Sequence, residues 1–91
     1  MRYERLASFD QALWSLPSAE RLRVLATLER LETGFARGQL TPGLGLKPLQ
    51  HGFWEIRVGL ADRIVFRRSG DVIVFVLVGT HDDIKRFLRH Q

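Results

Sequence analysis

The chain is predicted to be α+β: two N-terminal helices packed on an antiparallel meander, in the order β-α-α-β-β-β with a short C-terminal helical segment. Three observations predict this. Apolar residues recur at helical spacing as far as Phe35, the glycine- and proline-rich stretch "RGQLTPGLGLKPLQHG" then intervenes, and from Phe53 the period changes to two. The 91 residues are enough for one core, so residues 1–91 are expected to form a single domain.

Residues 2–7 read as a short first strand with weak alternation. In "SFDQALWSLP", Ser8 is placed to cap a helix while Gln11 reaches back three positions later. Phe9, Ala12, Leu13 and Leu16 share one face of that helix, and Pro17 closes it. A second helix is expected from about Ser18 to Thr33. Val24, Leu25, Leu28, Leu31 and Phe35 would form its buried stripe, with Gly34 as its stop. Trp14 and Trp54 fall at core-facing positions and read as packing.

In "FWEIRVG", Trp54, Ile56 and Val58 alternate with Glu55 and Arg57. "DRIVFRR" sets Ile64 and Phe66 against Arg63, Val65 and Arg67, and Ser69-Gly70 suits a tight hairpin turn. "DVIVFVLVG" is almost wholly apolar and β-branched, as in a strand buried on both faces. Residues Asp82 to His90 make a last helical turn or two, with Ile84, Phe87 and Leu88 inward.

Composition narrows the function. Hydrophobic residues make up 45% of the chain and charged residues 26%, which is ordinary for a globular protein. No apolar run reaches ~18 residues and "MRYERLASF" lacks an apolar signal core, so neither a membrane span nor export is expected. Cysteine is absent, which removes disulfides and thiolate metal sites and is compatible with the cytoplasm. Fourteen basic against ten acidic residues favour a polyanionic or acidic partner, although a net charge of +4 is also common among proteins with no such partner.

Two groups of residues could carry chemistry. If the first hairpin pairs residues whose numbers sum to about 120, Arg57 faces Arg63. Like charges directly across a ladder cost some tenths of a kcal/mol unless an anion lies between them, and a phosphate would match the planar arginine forks. A register one residue different removes the pair, and strand arginines also occur simply as a solvated face beside acids such as Glu55 or Asp71. In "VGTHDDI", His81 follows Gly79-Thr80 where the apolar strand ends. An imidazole there can give or take a proton near neutrality, or serve as a hydrogen-bonded structural histidine. Asp82 and Asp83 read as acids favoured at a helix start. Three consecutive residues seldom converge on one ion, so no metal is expected at His81–Asp83. His51 and His90 read as solvent-facing.

With these residues in view, the chain resembles the RelE/ParE toxin superfamily of bacterial toxin–antitoxin pairs. The likeness covers two helices followed by "LKPLQHGFWEIRVGLADRIVFRRSGDVIVFVLVGTHDDI", and "KPLQHGFWEIR" with "VGTHDDI" resembles the YafQ/HigB-type branch most. It implies a RelE-like fold and a ribosome-dependent messenger-RNA endonuclease that works without metal or cofactor. It also implies a cognate antitoxin and messenger RNA on the ribosome as partners. By position, Arg57 and Arg63 correspond to phosphate-binding residues. Lys47 corresponds to a loop position where the YafQ branch has a catalytic histidine, Asp62 to an acidic position before the third strand, and His81 to the catalytic histidine after the last strand. Glu55 stands where RelE has a lysine, Phe87 replaces a catalytic tyrosine, and a second YafQ histidine has no counterpart. The alternative implied by the same superfamily is a ParE-type toxin that poisons DNA gyrase and cuts no RNA.

Overall fold

A computed structural model of the chain describes residues 1–38 and 44–91. Strand β1 (Arg2–Arg5) leads into helices α1 (Ala7–Ser15) and α2 (Ser18–Ala36). After the loop come β2 (Lys47–Pro48), a single 3-10 turn at Gln50–Gly52, β3 (Phe53–Val58), β4 (Asp62–Ser69), β5 (Val72–Thr80) and helix α3 (His81–Arg89). The sheet runs in the order β1-β5-β4-β3-β2.

The α+β class and the β3-β4-β5 meander follow the expectation, with two differences at the edges. β1 lies parallel to β5, in the register Arg2↔Val72 to Arg5↔Phe75, so the sheet is mixed rather than purely antiparallel. Lys47-Pro48, expected within a loop, adds a short antiparallel edge strand opposite Trp54 and Glu55. The remainder of the expected loop includes residues 39–43, which lie outside the described residues.

One face of the sheet carries α1 and α2. Phe9, Leu13, Val24, Leu28 and Leu31 from the helices meet Ile56, Val58, Ile64, Phe66, Ile73, Phe75 and Val78. The opposite face is partly covered by α3, whose Ile84 joins Phe53, Val65, Val74 and Val76, with Phe87 edge-on to Phe53. Two covered faces explain why β5 needs no polar alternation. A register shift after Val65 sends Val76 and Leu77 both toward the α3 side. The Val76 carbonyl then accepts a hydrogen bond from the Ser8 hydroxyl at 2.6 Å.

Several local expectations are corrected. Ser8 does not cap α1; it lies inside the helix, Leu6 occupies the cap position, and the hydroxyl serves β5 instead. Gly34 does not stop α2 but sits buried within it, and the helix runs on to Ala36. Leu25 is exposed, and the buried stripe takes Thr27 instead, whose hydroxyl bonds back to the Arg23 carbonyl at 2.9 Å. Trp14 is 68% exposed rather than packed. Arg21 stacks 4.7 Å from its ring centroid while donating to the Leu13 and Leu16 carbonyls, which closes the C-terminal end of α1. Trp54 lies on the helix side but remains partly open. The β4–β5 turn is Gly70-Asp71, one residue later than expected, with Gly70 at φ +62° in the first turn position.

Candidate active site

The register of the first hairpin places Arg57 directly opposite Arg63, with Glu55 opposite Val65 and Val58 opposite Asp62. Residues across a ladder share a face, so both arginines stand on the face away from α1 and α2. Lys47 joins them there, because β2 pairs it directly with Glu55. On the other side of Arg63 the ladder partner is Gly79. Lys47, Glu55, Arg57 and Arg63 thus form one polar cluster on three adjacent strands.

Backbone features hold the cluster in place. The Arg57 amide donates to the Leu44 carbonyl at 3.0 Å, and Leu44 is anchored in the core. Gly45 follows at φ +65°, and a Cβ there would come within 3.0 Å of the Arg57 Cβ, so only glycine fits against this arginine. Arg57 itself remains exposed.

Arg63 differs from Arg57. Its Nε lies 3.1 Å from Glu55 Oε2, and only 16% of the Arg63 side chain and 7% of the Glu55 side chain remain accessible. The contact is an ion pair, but the Nε–H does not align into a hydrogen bond. Glu55 offsets the like-charge repulsion that the facing arginines would otherwise suffer. It reaches Arg63 along the diagonal of the ladder, a route that the 120-sum register would have revealed. The sequence offered Glu55 as one acid that could neighbour the strand arginines, and the structure pairs it with Arg63.

His81 is the first residue of α3, two beyond Gly79, and its side chain is exposed. A capping box fixes the start of the helix. The Thr80 hydroxyl accepts from the Asp83 amide at 3.2 Å, and the Asp83 carboxylate accepts from the Thr80 amide at 2.9 Å. The Thr80 amide, more than the Thr80 hydroxyl or Arg86, holds the Asp83 carboxyl below its ordinary value. Asp83 also pairs with Arg86. Asp82 and Asp83 are therefore helix-start acids, as expected. Among the described residues no three histidine or acidic side chains gather in a way that would hold a metal ion.

Asp62 does not join the cluster. It alternates with Arg63 along β4, so it shares the helix-side face with Val58 and Thr80 and is buried. It lines a hollow with Glu20, Arg23 and Leu60, on the face opposite the arginines. Lys47, Arg57 and Arg63 are brought together, His81 stands at the adjoining strand end, and Asp62 faces away. On the helix side, Phe35, Leu46, Trp54, Phe66 and Ile73 line a separate apolar cavity of about 200 Å³, with Arg68 at its rim.

Neither a family model nor a curated protein sequence matches this chain. Solved structures do. A chain of the RelB–RelE antitoxin–toxin complex from Methanococcus jannaschii superposes with a TM-score of 0.72 at 24% identity, covering 92% of this chain and 96% of that one. YafQ from E. coli strain BL21(DE3) gives 0.67 at 18% identity, covering 92% and 98%. A YoeB/ParE toxin from Agrobacterium tumefaciens gives 0.65 at 20% identity, covering 89% and 99%. At such identities the shared property is the fold, including the layout of helices and sheet. The structural neighbours of this chain are RelE-, YafQ- and YoeB/ParE-type toxins of toxin–antitoxin systems, and its fold is theirs.

Proposed function

We propose that this chain is the toxin of a type II toxin–antitoxin pair and cuts messenger RNA on the ribosome. The observation that carries the proposal is the Arg57–Arg63 pair, held face to face on rigid strands with Lys47 beside it and His81 at the adjoining strand end. Such a surface binds a phosphate through planar, bidentate donors.

In the reaction, the RNA 2′-hydroxyl gives up its proton to water, its oxygen attacks the adjacent phosphorus and the bond to the 5′-oxygen breaks. The products are a 2′,3′-cyclic phosphate and a free 5′-hydroxyl. Arg57, Arg63 and Lys47 offset the charge that builds on the phosphorane, and His81 gives a proton to the departing 5′-oxygen. Asp62, buried on the other face, takes no part. The chemistry needs no metal, and placement in the cytoplasm follows from the ribosome as site of action.

A partner belongs to the same proposal. A cognate antitoxin covers the basic face with an acidic segment and anchors apolar side chains in a groove between helices and sheet, for which the Phe35–Trp54 cavity is suited. The neighbouring structures include antitoxin–toxin complexes, RelB–RelE and DinJ–YafQ. The test is induction of the chain alone in bacteria, with messenger-RNA 5′ ends mapped and neighbouring gene products co-purified. New 5′-hydroxyl ends within translated frames, and rescue by a neighbour that binds, are expected. Gyrase-linked DNA breaks without RNA cleavage would replace this function by the ParE type. Harmless expression with no binding neighbour would end the toxin assignment altogether.

A further inference from the structure

We infer that Glu55 is a specificity-determining residue: an internal anion that occupies Arg63 and keeps the affinity of the basic face for free RNA low. The inference rests on the proposal that this face binds RNA. Glu55 is only 6% exposed although it lies on the polar side of β3. A carboxylate so far out of water needs a cation or hydrogen bonds to compensate it, and Arg63 stands 3.1 Å away, with Lys47 its ladder partner on β2. Arg57, by contrast, is exposed, and among the described residues it makes no ion pair.

The two facing arginines are therefore unequal. Arg57 can receive a phosphate at once. Arg63 is already neutralised by a carboxylate that sits where a phosphate oxygen would be attracted, so RNA must compete with Glu55 for it. Free RNA, binding mainly through exposed charge, gains only part of the cluster. RNA held in place by another surface can displace Glu55 without the entropic cost of being captured. The carboxylate thus discriminates between RNA that is presented and RNA that is merely encountered.

A double-mutant cycle on Glu55→Gln and Arg63→Ala tests this. Binding of a short single-stranded RNA carrying 2′-O-methyl groups, which cannot be cut, is followed by fluorescence anisotropy across a salt series. Glu55→Gln is expected to tighten binding roughly three- to tenfold and to steepen the log–log salt slope by about 0.7, one additional phosphate contact on a single strand. Both effects should vanish in the Arg63→Ala background. Unchanged or weaker binding by Glu55→Gln overturns the inference, because Glu55 would then be orienting Arg63 rather than occupying it. Tightening that persists without Arg63 also overturns it, as a general charge effect. Glu55→Thr, which suits a strand, repeats the cycle if Glu55→Gln fails to fold. If neither variant folds, the Arg63 Nε resonance of the wild-type chain is followed during titration with pyrophosphate, and an unperturbed resonance overturns the inference. Cleavage on ribosomes is scored separately. An intact cycle in a chain that cuts nothing would refute the nuclease while leaving Glu55 as the gate on RNA binding.

Discussion

Gly79→Ala tests how the helix bearing His81 is seated on the sheet. Gly79 is buried in β5 opposite Arg63, and Asp83 of α3 lies directly over it. A methyl group at this position would meet Asp83 Oδ2 at 2.7 Å, Cβ at 2.9 Å and Cγ at 3.2 Å. The carboxylate oxygen can swing aside, at the loss of its bond to the Thr80 amide. The Cβ can yield only if the first turn of α3 moves. Overpacking of this kind costs about 1–3 kcal/mol, and loss of the cap about 1 more. Replacing glycine by alanine within a strand returns about 0.5–1 kcal/mol, which leaves a net loss of roughly 1–3.5 kcal/mol. For a domain of this size each kcal/mol lowers Tm by about 4–8 °C. Urea unfolding should show a lower midpoint with an unchanged slope. The control is Asp83→Gly, a background that removes the atoms the methyl would strike, where Gly79→Ala should stabilise by about 0.5–1 kcal/mol. A loss below about 0.5 kcal/mol in the otherwise wild-type chain would refute the close seating of α3 on Gly79.

His81→Ala should leave the circular dichroism spectrum unchanged while relieving growth arrest, since the side chain is exposed at the start of α3; undiminished toxicity would make it a structural histidine. Arg63→Ala should lower ribosome-dependent cleavage more than Arg67→Ala, because Arg67 lies opposite Phe53 near the distal turn; equal losses in a cleavage assay would mean a diffuse basic patch. Asp62→Asn should act on stability, visible in thermal melts, and leave the cleavage rate per folded molecule intact; a large rate loss in a fully folded variant would return Asp62 to the chemistry. The Asp83 carboxyl is held below its ordinary value of 3.8, so its contribution is present at neutral pH and is lost as pH falls through the depressed folded value. The stability gap between the wild type and Asp83→Asn should therefore narrow between neutral pH and about pH 2 in urea titrations, and a constant gap would count against the capping box.

What the sequence revealed and what it concealed divide along physical lines. The alternation of the two short strands was legible, but their register was not: pairing to a sum of 120 was one option beside a one-residue shift, and the structure adopts it, with Arg57 against Arg63. The α3 side of the sheet was harder to read. Val65 and the run from Val72 look alike whether covered by a helix or by a second sheet. The parallel pairing of β1 was invisible, because nothing local in Arg2–Arg5 specifies a partner some seventy positions away. Asp62 shows a limit of positional matching: as adjacent residues of one strand, Asp62 and Arg63 point to opposite faces of the sheet. Trp14 and Leu25 went astray for a related reason. Helical periodicity identifies a face, but a corner such as the one clamped by Arg21 decides how far that face is covered.

The parallel seam between β1 and β5 bears on the order in which the molecule can assemble. The first strand of the chain has no partner until residues 72–75 exist, and Ser8 of α1 likewise waits for the Val76 carbonyl. Contacts of such long sequence separation form late, after the loop between them has been closed. During synthesis the two helices therefore emerge long before the surface on which they rest. Lys47, Arg57 and Arg63 are all translated before β5, which completes the sheet around them. The basic cluster acquires its rigid geometry only when the final strand inserts between β1 and β4. A partly synthesised chain therefore carries the charges of the cluster without the sheet that holds them in place.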